Sequence, residues 1–310
     1  NPGMKFLVTG GAGFIGSNIV GELLKRNYEV KVLDNFSTGK RENLAEYGNN
    51  IELIEGDIRS YHIVKDAVAG VDVILHQAAL PSVPRSINDP ITSNEVNVTG
   101  TLNILEAARK NNVQKIVFAS SSSVYGDNPK LPKDESMIPN PLSPYAVSKL
   151  SGEKYCNVFT RIYGLKTIAL RYFNVFGPRQ DPNSQYSAVI PKFIKAIMAG
   201  ESPVIFGDGE QSRDFTFVRN VIEGNILAAT TDCESGIAMN CACHGRITLN
   251  ELVANINEIL GKDVKPVYKE PRAGDIKHSF ADIDLAGKNL HYKPLVEFKE
   301  GLKITIESFK

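Results

Sequence analysis

The stretch "VTGGAGFIGS", residues 8–17, decides the fold. Gly10, Gly13 and Gly16 recur in it at every third position, between a β-branched strand pattern and an amphipathic helix pattern. Such glycines permit a tight turn and let backbone N–H groups approach a pyrophosphate at the positive end of the helix. The next predicted strand ends in Asp34, 18 residues after Gly16, where a carboxylate can bind an adenosine ribose. The stretch therefore predicts a dinucleotide-binding site.

The charges around Asp34 bear on the form of the dinucleotide. A carboxylate at this position accepts hydrogen bonds from the ribose and repels a 2′-phosphate, which favours NAD over NADP. Lys40 and Arg41 follow closely and could attract a 2′-phosphate, so NADP stays open as the alternative. Asp57, at the end of the third predicted strand, is expected to reach the adenine.

The first half of the chain alternates short β-branched runs with stretches of helical spacing. The predicted strands are "KFLVT" (5–9), "EVKVL" (29–33), "IELIEGD" (51–57), "VDVILH" (71–76) and "KIVFAS" (115–120). This alternation predicts an α/β fold with a doubly wound parallel sheet covered on both faces. We expect a dinucleotide-binding domain over residues 4–170, re-entered by parts of 210–245. A smaller, interleaved α/β substrate-binding domain is expected over 171–310.

Two details refine these boundaries. Asn1–Gly3 precede the first methionine, and we leave them outside the predicted domain. Further on, Thr248 stands three residues before Glu251, a capping-box spacing that predicts a helix to about Leu260, ended by Gly261.

Composition limits the partners. Lys and Arg together number 35 and Asp and Glu also 35, so no net field favours nucleic acid or an anionic membrane. No apolar run approaches the roughly 20 residues that span a bilayer, and no basic-then-apolar leader is present. We expect a cytoplasmic protein that binds small molecules, without a membrane or nucleic-acid partner.

The cysteines and one histidine are predicted to be structural. None of Cys156, Cys233, Cys241 and Cys243 has the spacing of a metal site, and no metal is predicted. Cys241 and Cys243 alternate as core-facing residues of a strand would. His76 is interpreted as a strand-end histidine satisfied by the backbone rather than as a catalyst.

Tyr145 and Lys149 are four residues apart, so a helix places both on one face. An unperturbed tyrosine has a pKa of about 10 and is a weak base at neutral pH. Positive charge nearby lowers that pKa, and Lys149 together with an oxidised nicotinamide would supply it. The pair is therefore a candidate for proton transfer beside the dinucleotide.

Several motifs together resemble the extended short-chain dehydrogenase/reductase family of sugar-nucleotide enzymes. The resemblance covers Met4 to about Asp284 and implies a Rossmann domain with a smaller sugar-nucleotide-binding domain. The motifs that carry it are the glycine loop, Asp34, "HQAA" (76–79), "SSSSVYGD" (120–127), Tyr145-x-x-x-Lys149 and "RYFNVFGP" (171–178).

The serine run separates the branches of this family. The resemblance gives Ser121 the role of a hydroxyl that helps move a proton to Tyr145, with Lys149 as the third catalytic residue. Dehydratases and decarboxylases of the family carry an acidic residue just before "VYG", whereas this chain has Ser122 and Ser123. Without that carboxylate, elimination at C5 and C6 has no evident general acid or base. The reaction that this resemblance then implies is oxidation at C4 of the sugar followed by reduction. The similarity is accordingly to the UDP-hexose 4-epimerases.

The resemblance also implies the binding residues. NAD, bound throughout the cycle, is assigned to Gly10, Gly13, Phe14, Ile15, Gly16, Asp34, Asn35, Ser37, Gly39, Asp57, Ile58, Gln77, Ala78, Ala79, Ser120, Tyr145, Lys149 and Tyr172. The UDP-sugar is assigned to Ser82, Arg85, Ser122, Asn174, Val189, Lys192, Ile205, Arg213, Arg272, Asp275 and Ser279.

Within the second set the roles differ. Arg213 and Arg272 match diphosphate-binding arginines, while Ser82 and Arg85 are expected near the sugar. A small residue at Ser279 would leave room for a 2-acetamido group. This position and the amino-acid sequences of the serine, tyrosine and "RYFNVFGP" motifs favour UDP-GlcNAc and UDP-GalNAc as the substrate pair. UDP-glucose and UDP-galactose are possible further substrates.

Three alternatives stay open at this point. A UDP-glucuronate 4-epimerase would need a cation for the C5 carboxylate, which the sequence does not place. An NAD-binding sensor would keep the fold without turnover, and a net dehydrogenase would release NADH. A homodimer is expected through the helices near 91–111 and 145–163.

Overall fold

The structure, a computed structural model, describes residues 3–310, so Asn1 and Pro2 of the leading segment lie outside it. In chain order, the strands of the described residues are β1 (Lys5–Thr9), β2 (Glu29–Asp34), β3 (Ile51–Glu55), β4 (Val73–His76), β5 (Lys115–Ser121), β6 (Lys166–Tyr172), β7 (Val175–Phe176), β8 (Val204–Phe206), β9 (Ser212–Arg213), β10 (Thr216–Phe217), β11 (Ile237–Cys241), β12 (Ile247–Thr248) and β13 (Val267–Lys269).

The α-helices of the same residues connect these strands. They are α1 (Phe14–Lys25), α2 (Tyr61–Val68), α3 (Val83–Asn88), α4 (Pro90–Asn94), α5 (Gly100–Lys110), α6 (Pro144–Tyr163), α7 (Val189–Met198), α8 (Val218–Thr230), α9 (Leu249–Leu260), α10 (Asp284–Leu290) and α11 (Phe298–Ser308). A π-helical turn, Glu95–Thr99, joins α4 to α5, and 3₁₀ turns span Arg41–Asn50 and Ser122–Tyr125.

Seven parallel strands form the central sheet, in the order β11-β6-β5-β4-β1-β2-β3. Along β1, Phe6 and Val8 face the core shared with α1 and α8, while Leu7 faces the core shared with α2, α5 and α6. The strands are apolar on both faces because helices cover both. The predicted doubly wound α/β fold is confirmed. The strand order reverses between β1 and β4, where such sheets open a crevice at their carboxyl ends.

The capping prediction for α9 is also confirmed. The Thr248 side chain accepts the Glu251 N–H at 3.0 Å, and the Glu251 carboxylate accepts the Thr248 N–H at 3.1 Å. The helix ends at Gly261, whose left-handed backbone (φ +65°) suits a glycine.

The second half of the chain contributes both to the large sheet and to the smaller strand pairs outside it. Strand β11 pairs in parallel with β6 at the edge of the large sheet, and α8 packs against that sheet. The remaining short strands form three two-stranded pieces, β10–β7, β12–β9 and β13–β8. Cys241 is buried on β11, as predicted for a core-facing residue. Cys243 lies beyond the end of β11, so its predicted place on the strand is wrong; Asn220 Nδ2 contacts its Sγ at 3.4 Å.

Within residues 3–310, no helix combines the length and apolarity that a membrane crossing requires.

Candidate active site

A cleft of about 640 Å³ opens at the carboxyl edge of the sheet, beside the point where β1 and β4 diverge. All eighteen positions predicted for the dinucleotide line it. They are Gly10, Gly13, Phe14, Ile15, Gly16, Asp34, Asn35, Ser37, Gly39, Asp57, Ile58, Gln77, Ala78, Ala79, Ser120, Tyr145, Lys149 and Tyr172.

The glycine loop is shaped for close backbone approach. Gly10 has a φ of +69°, and a Cβ on Gly16 would lie 2.1 Å from the Gly10 carbonyl oxygen. Gly13 caps α1 without a side-chain hydrogen bond. A side chain at Gly16 would push the helix away from the loop, while the uncapped N-terminus leaves N–H groups for an anion. The loop therefore fits the pyrophosphate of NAD.

The Asp34 carboxylate anchors the glycine loop through a backbone hydrogen bond. Its carboxylate accepts the N–H of Ala12 at 2.9 Å and that of Phe36 at 2.8 Å. Each carboxylate oxygen has a further lone pair, so Asp34 can also accept from a ribose hydroxyl.

The two nearby cations are already engaged by carboxylates. Lys40 Nζ lies 3.7 Å from Asp181, and Arg41 Nη2 lies 2.5 Å from Glu55. A 2′-phosphate would have to compete with these carboxylates and would meet Asp34 as well. The arrangement fits NAD rather than NADP.

Helix α6 brings Tyr145 and Lys149 to the floor of the cleft. Ser143 caps the helix by accepting the Ala146 N–H at 3.1 Å. The Tyr145 side chain lies beside Ser121, at the end of β5. Lys149 Nζ donates to the Ala119 carbonyl at 2.8 Å and lies 5.8 Å from the centre of the Tyr145 ring. The three predicted catalytic residues therefore converge from a strand end and one helix face.

Burial controls the protonation of this trio. Burial raises the pKa of Tyr145 to about 12, an effect that the neighbouring Ser121 side chain offsets only in part. Burial also lowers the pKa of Lys149 to about 8. In the chain without NAD, desolvation outweighs an ammonium that lies 5.8 Å from the ring centre. The lowering of the tyrosine pKa by Lys149 together with an oxidised nicotinamide stays a prediction.

His76 is a structural residue, as predicted, although its partners are hydroxyls rather than backbone groups. Its Nδ1 lies 2.6 Å from Thr9 Oγ1 and its Nε2 lies 2.9 Å from Thr101 Oγ1. Burial lowers the pKa of His76 to about 3, so the ring is neutral at physiological pH.

A buried ion pair behind the trio was not predicted. The Glu153 carboxylate receives Arg171 Nε at 2.9 Å and Nη2 at 2.8 Å, and Ser120 Oγ donates to it as well. The contacts tie α6 to β5 and β6. One signal was present in the sequence, because Glu153 follows Lys149 by four residues and so shares its helix face.

Asn97 is a second residue that the sequence reasoning missed. It lies in the π-helical turn and is buried. Its amide oxygen accepts the Leu80 N–H at 2.8 Å, and its Nδ2 donates to Ser148 Oγ at 3.1 Å. These bonds fix the β4 loop against α6. A single π-helical turn is rare and has no recognisable sequence pattern, so the sequence did not indicate the position of Asn97.

The predicted sugar-nucleotide residues are spread over a wider area. Ser82 and Arg85 line the cleft with the cofactor positions. The remaining nine are absent from its lining: Ser122, Asn174, Val189, Lys192, Ile205, Arg213, Arg272, Asp275 and Ser279.

Two of these assignments need correction. The Ile205 side chain is fully buried, because alternation along β8 turns it into the core. Its neighbour Phe206 instead lines a separate groove of about 820 Å³, and the Arg272 guanidinium lies 4.0 Å from the centre of its ring. Ser279 is only 7% exposed and its N–H is bonded to the Ser212 carbonyl, so it offers no open space beside the cleft.

Arg213 is held against the segment that carries Asp275. Its guanidinium donates to the carbonyls of Ser212 and Ile276, at 2.7 and 2.9 Å. Burial lowers the pKa of Arg213, and the charge of Asp275 opposes that change. The arginine thus braces the 272–279 segment.

Asp214 accounts for the unusual stretch "NCACHGR" at 240–246. Its buried carboxylate accepts the N–H groups of Cys243, His244 and Ala281, at 3.1, 3.0 and 3.0 Å. Burial raises its pKa to about 6, against the effect of those backbone bonds. The loop wraps this carboxylate with its backbone N–H groups. No group of three or more potential metal ligands occurs within residues 3–310.

Comparison with known proteins agrees with this geometry. Residues 6–242 match the model of the NAD dependent epimerase/dehydratase family. The chain is 44% identical to a UDP-N-acetylglucosamine 4-epimerase of Methanobrevibacter ruminantium, solved with UDP-N-acetylmuramic acid, at a TM-score of 0.95 and coverage of 100% and 99% of the two chains.

Two further solved structures are similar over nearly their whole length. A UDP-glucose 4-epimerase of Thermotoga maritima, solved with UDP-glucose, is 40% identical at a TM-score of 0.94, covering 99% and 98% of the chains. A mutant UDP-glucuronic acid 4-epimerase of Bacillus cereus, solved with a fluorinated UDP-glucuronic acid and NAD, is 33% identical at a TM-score of 0.90, covering 98% of each. The chain therefore belongs to the NAD-dependent epimerase/dehydratase family, and its cofactor is NAD.

Proposed function

We propose that this chain is a UDP-hexose 4-epimerase whose main substrate pair is UDP-GlcNAc and UDP-GalNAc, with UDP-glucose and UDP-galactose as further substrates. The observation that carries the proposal is the position of Tyr145 and Lys149 in the lining of the NAD cleft, with the Ser121 side chain beside the tyrosine. The identity to the Methanobrevibacter UDP-N-acetylglucosamine 4-epimerase supports the acetamido sugars.

The proposed reaction gives each of the three catalytic residues a role in proton transfer or in electrostatic stabilisation. Tyr145 accepts the proton of the C4 hydroxyl by way of Ser121 and returns it after the sugar has turned over. NAD, held by the glycine loop and Asp34, would supply the acceptor and donor of the C4 hydride, and its positive ring would favour the phenolate that burial opposes. Lys149 adds positive charge at the same helix face.

The absence of a second reactive carboxylate favours epimerisation over elimination. Ser122 and Ser123 occupy the positions where an acid would act, and Ser123 bonds to Ser121 Oγ at 2.9 Å. Glu153, the buried carboxylate beside Ser120, is occupied by Arg171. Neither the two serines nor the paired Glu153 is thus a free acid that could remove a proton from C5.

The uridine diphosphate is proposed to bind remote from C4, so that the ketone can rotate while the molecule stays anchored. Arg272 and Arg213 provide charge for the diphosphate. We replace Ile205 with Phe206 in this assignment, because its aromatic ring faces the groove and can stack with a base.

We further propose a homodimer formed by α4 and α6. Apolar side chains are exposed along these packed helices, including Ile91 (70% exposed) and Ile162 (67%). Val147 and Val158 belong to the same stripe of α6 by helical spacing. A second copy of the chain could bury this surface.

UDP-glucuronate remains the second candidate substrate. Such a substrate needs a cation for its C5 carboxylate. The Bacillus cereus relative supports the class.

The test is to incubate the NAD-bound protein separately with UDP-GlcNAc, UDP-glucose and UDP-glucuronate, and to follow the C4 epimer by NMR. We expect Tyr145→Phe to reduce kcat by about 10²-fold or more while NAD remains bound. Tyr155→Phe, on the same helix, is the matched control and should keep normal turnover. Absence of an epimer from all three substrates would reject the proposal and leave an NAD-binding sensor, whereas accumulating NADH would indicate a net dehydrogenase.

A further inference from the structure

Arg85 lines the cleft beside the first turn of α6. Ser82 caps α3 by accepting the Arg85 N–H at 3.3 Å, and Ser86 Oγ accepts the Tyr145 N–H at 3.0 Å. These two bonds fix α3 against α6. Arg85 on α3 and Tyr145 on α6 therefore line the same cleft from two helices that are in contact.

The Arg85 guanidinium has no hydrogen-bond acceptor or ion-pair partner among residues 3–310. Its Nε is buried without a partner. Its Cζ lies 4.6 Å from the centre of the Tyr186 ring, and Asn88 Nδ2 donates to the Tyr186 hydroxyl at 3.0 Å. The aromatic contact restrains the guanidinium plane and leaves its N–H donors unused.

The other cations that line the cleft already have acceptors. Lys149 donates to the Ala119 carbonyl, and Lys40 lies 3.7 Å from Asp181. Arg179 donates to the Tyr47 hydroxyl at 2.8 Å and pairs with Glu46. Among the described cleft residues, Arg85 is thus the cation left for a ligand.

We propose that Arg85 forms an anion subsite that binds a carboxylate carried by the hexose, so that the cleft accepts acidic UDP-sugars. The inference rests on the proposed UDP-sugar function and extends it. A guanidinium offers paired N–H donors that match the two oxygens of a carboxylate, and a neutral hydroxyl cannot match that charge. Two diphosphates are expected in the complex: that of NAD is assigned to the glycine loop, and that of UDP to Arg213 and Arg272.

The test compares ligands that differ only in the carboxylate. Dissociation constants of the NAD-bound protein are measured by calorimetry for UDP-GlcNAc against UDP-N-acetylmuramic acid, and for UDP-glucose against UDP-glucuronate. In Arg85→Gln, we expect the affinity for at least one acidic ligand to fall at least 10-fold more than that for its neutral counterpart. The pair that shows the difference locates the carboxylate at the C3 ether or at C6.

Two variants serve as controls. Arg85→Lys keeps the charge and should recover part of the lost affinity for the acidic ligand. Lys303→Gln removes an exposed charge on α11 and should change none of the four constants. Unchanged NAD content and thermal unfolding show that Arg85→Gln is folded.

Equal losses for acidic and neutral ligands would overturn the inference and place Arg85 on the shared UDP. Unchanged affinity for both acidic ligands would overturn it as well. Because binding is measured, this result is independent of turnover, whereas absence of any epimer bears on the proposed function alone.

Discussion

At the scale of single residues, burial sets which side chains of the cleft are charged. The pKa of Tyr145 is raised to about 12, that of Lys149 is lowered to about 8, and that of His76 is lowered to about 3. The tyrosine and lysine line the cleft, where a ligand can change their surroundings. His76 is bonded on both ring nitrogens, so its neutral state belongs to the fold itself.

His76 makes stability depend on pH. Its folded pKa of about 3 lies below the unfolded value of about 6.5, so its contribution is present above pH 6.5 and is lost as pH falls toward 3. Between pH 6.5 and pH 5 the protonation of His76 is expected to cost about 2 kcal/mol of unfolding free energy. Asp214, whose pKa is raised to about 6, acts in the opposite direction over the same range, so the His76 contribution is the difference in urea unfolding between the wild type and a variant without the histidine.

His76→Gln should remove this part of the pH dependence, whatever its effect on stability at pH 7. His62→Gln, at an exposed position, is the matched control and should retain the full dependence. If His76→Gln keeps the same loss between pH 6.5 and pH 5, another group is responsible.

At the scale of elements, α6 organises the site by spacing. Tyr145, Lys149 and Glu153 follow one another at intervals of four, so one helix face carries the phenol, the ammonium and the buried carboxylate. The Glu153–Arg171 pair anchors that face to β6, and Ser120 anchors it to β5. The position of Tyr145 relative to Ser121 therefore depends on a buried pair behind them.

Glu153→Gln should destabilise the protein by about 3–5 kcal/mol, because it leaves the Arg171 charge buried without its counter-charge. Glu258→Gln breaks the exposed pair with Lys299, 3.1 Å apart, and should cost at most about 1 kcal/mol. Both values come from urea unfolding. A loss for Glu153→Gln no larger than that for Glu258→Gln would show that the pair does not anchor α6.

The sequence predicts well what is determined locally. The glycine loop, the strands around it and the capped helix α9 depend on residues close in the chain, and they are observed where expected. The Asp214 loop and the Glu153–Arg171 pair join residues 18 or more apart, and their partners cannot be read from spacing. Ile205 was misassigned because a shift of one residue along a strand reverses the face.

At the scale of the whole molecule, the exposed apolar stripe on α4 and α6 predicts a dimer. Ile162→Glu should shift the protein to a monomer, because a charge within a buried apolar interface is costly. Light scattering after size-exclusion chromatography measures the mass. Ile304→Glu, an exposed isoleucine on α11, is the control and should leave the dimer intact.

A wild-type protein that is monomeric at micromolar concentration would contradict the dimer. So would an Ile162→Glu variant that remains dimeric, since the interface would then lie elsewhere.

The central claim is that C4 of a UDP-hexose is oxidised and reduced again within one closed site. It is tested most directly with UDP-GlcNAc that carries deuterium at C4, incubated with the NAD-bound protein in ordinary water and followed by NMR. We predict UDP-GalNAc that retains the deuterium at C4, because the same hydride returns to the opposite face. Product that carries solvent hydrogen at C4, or no product at all, would contradict the account.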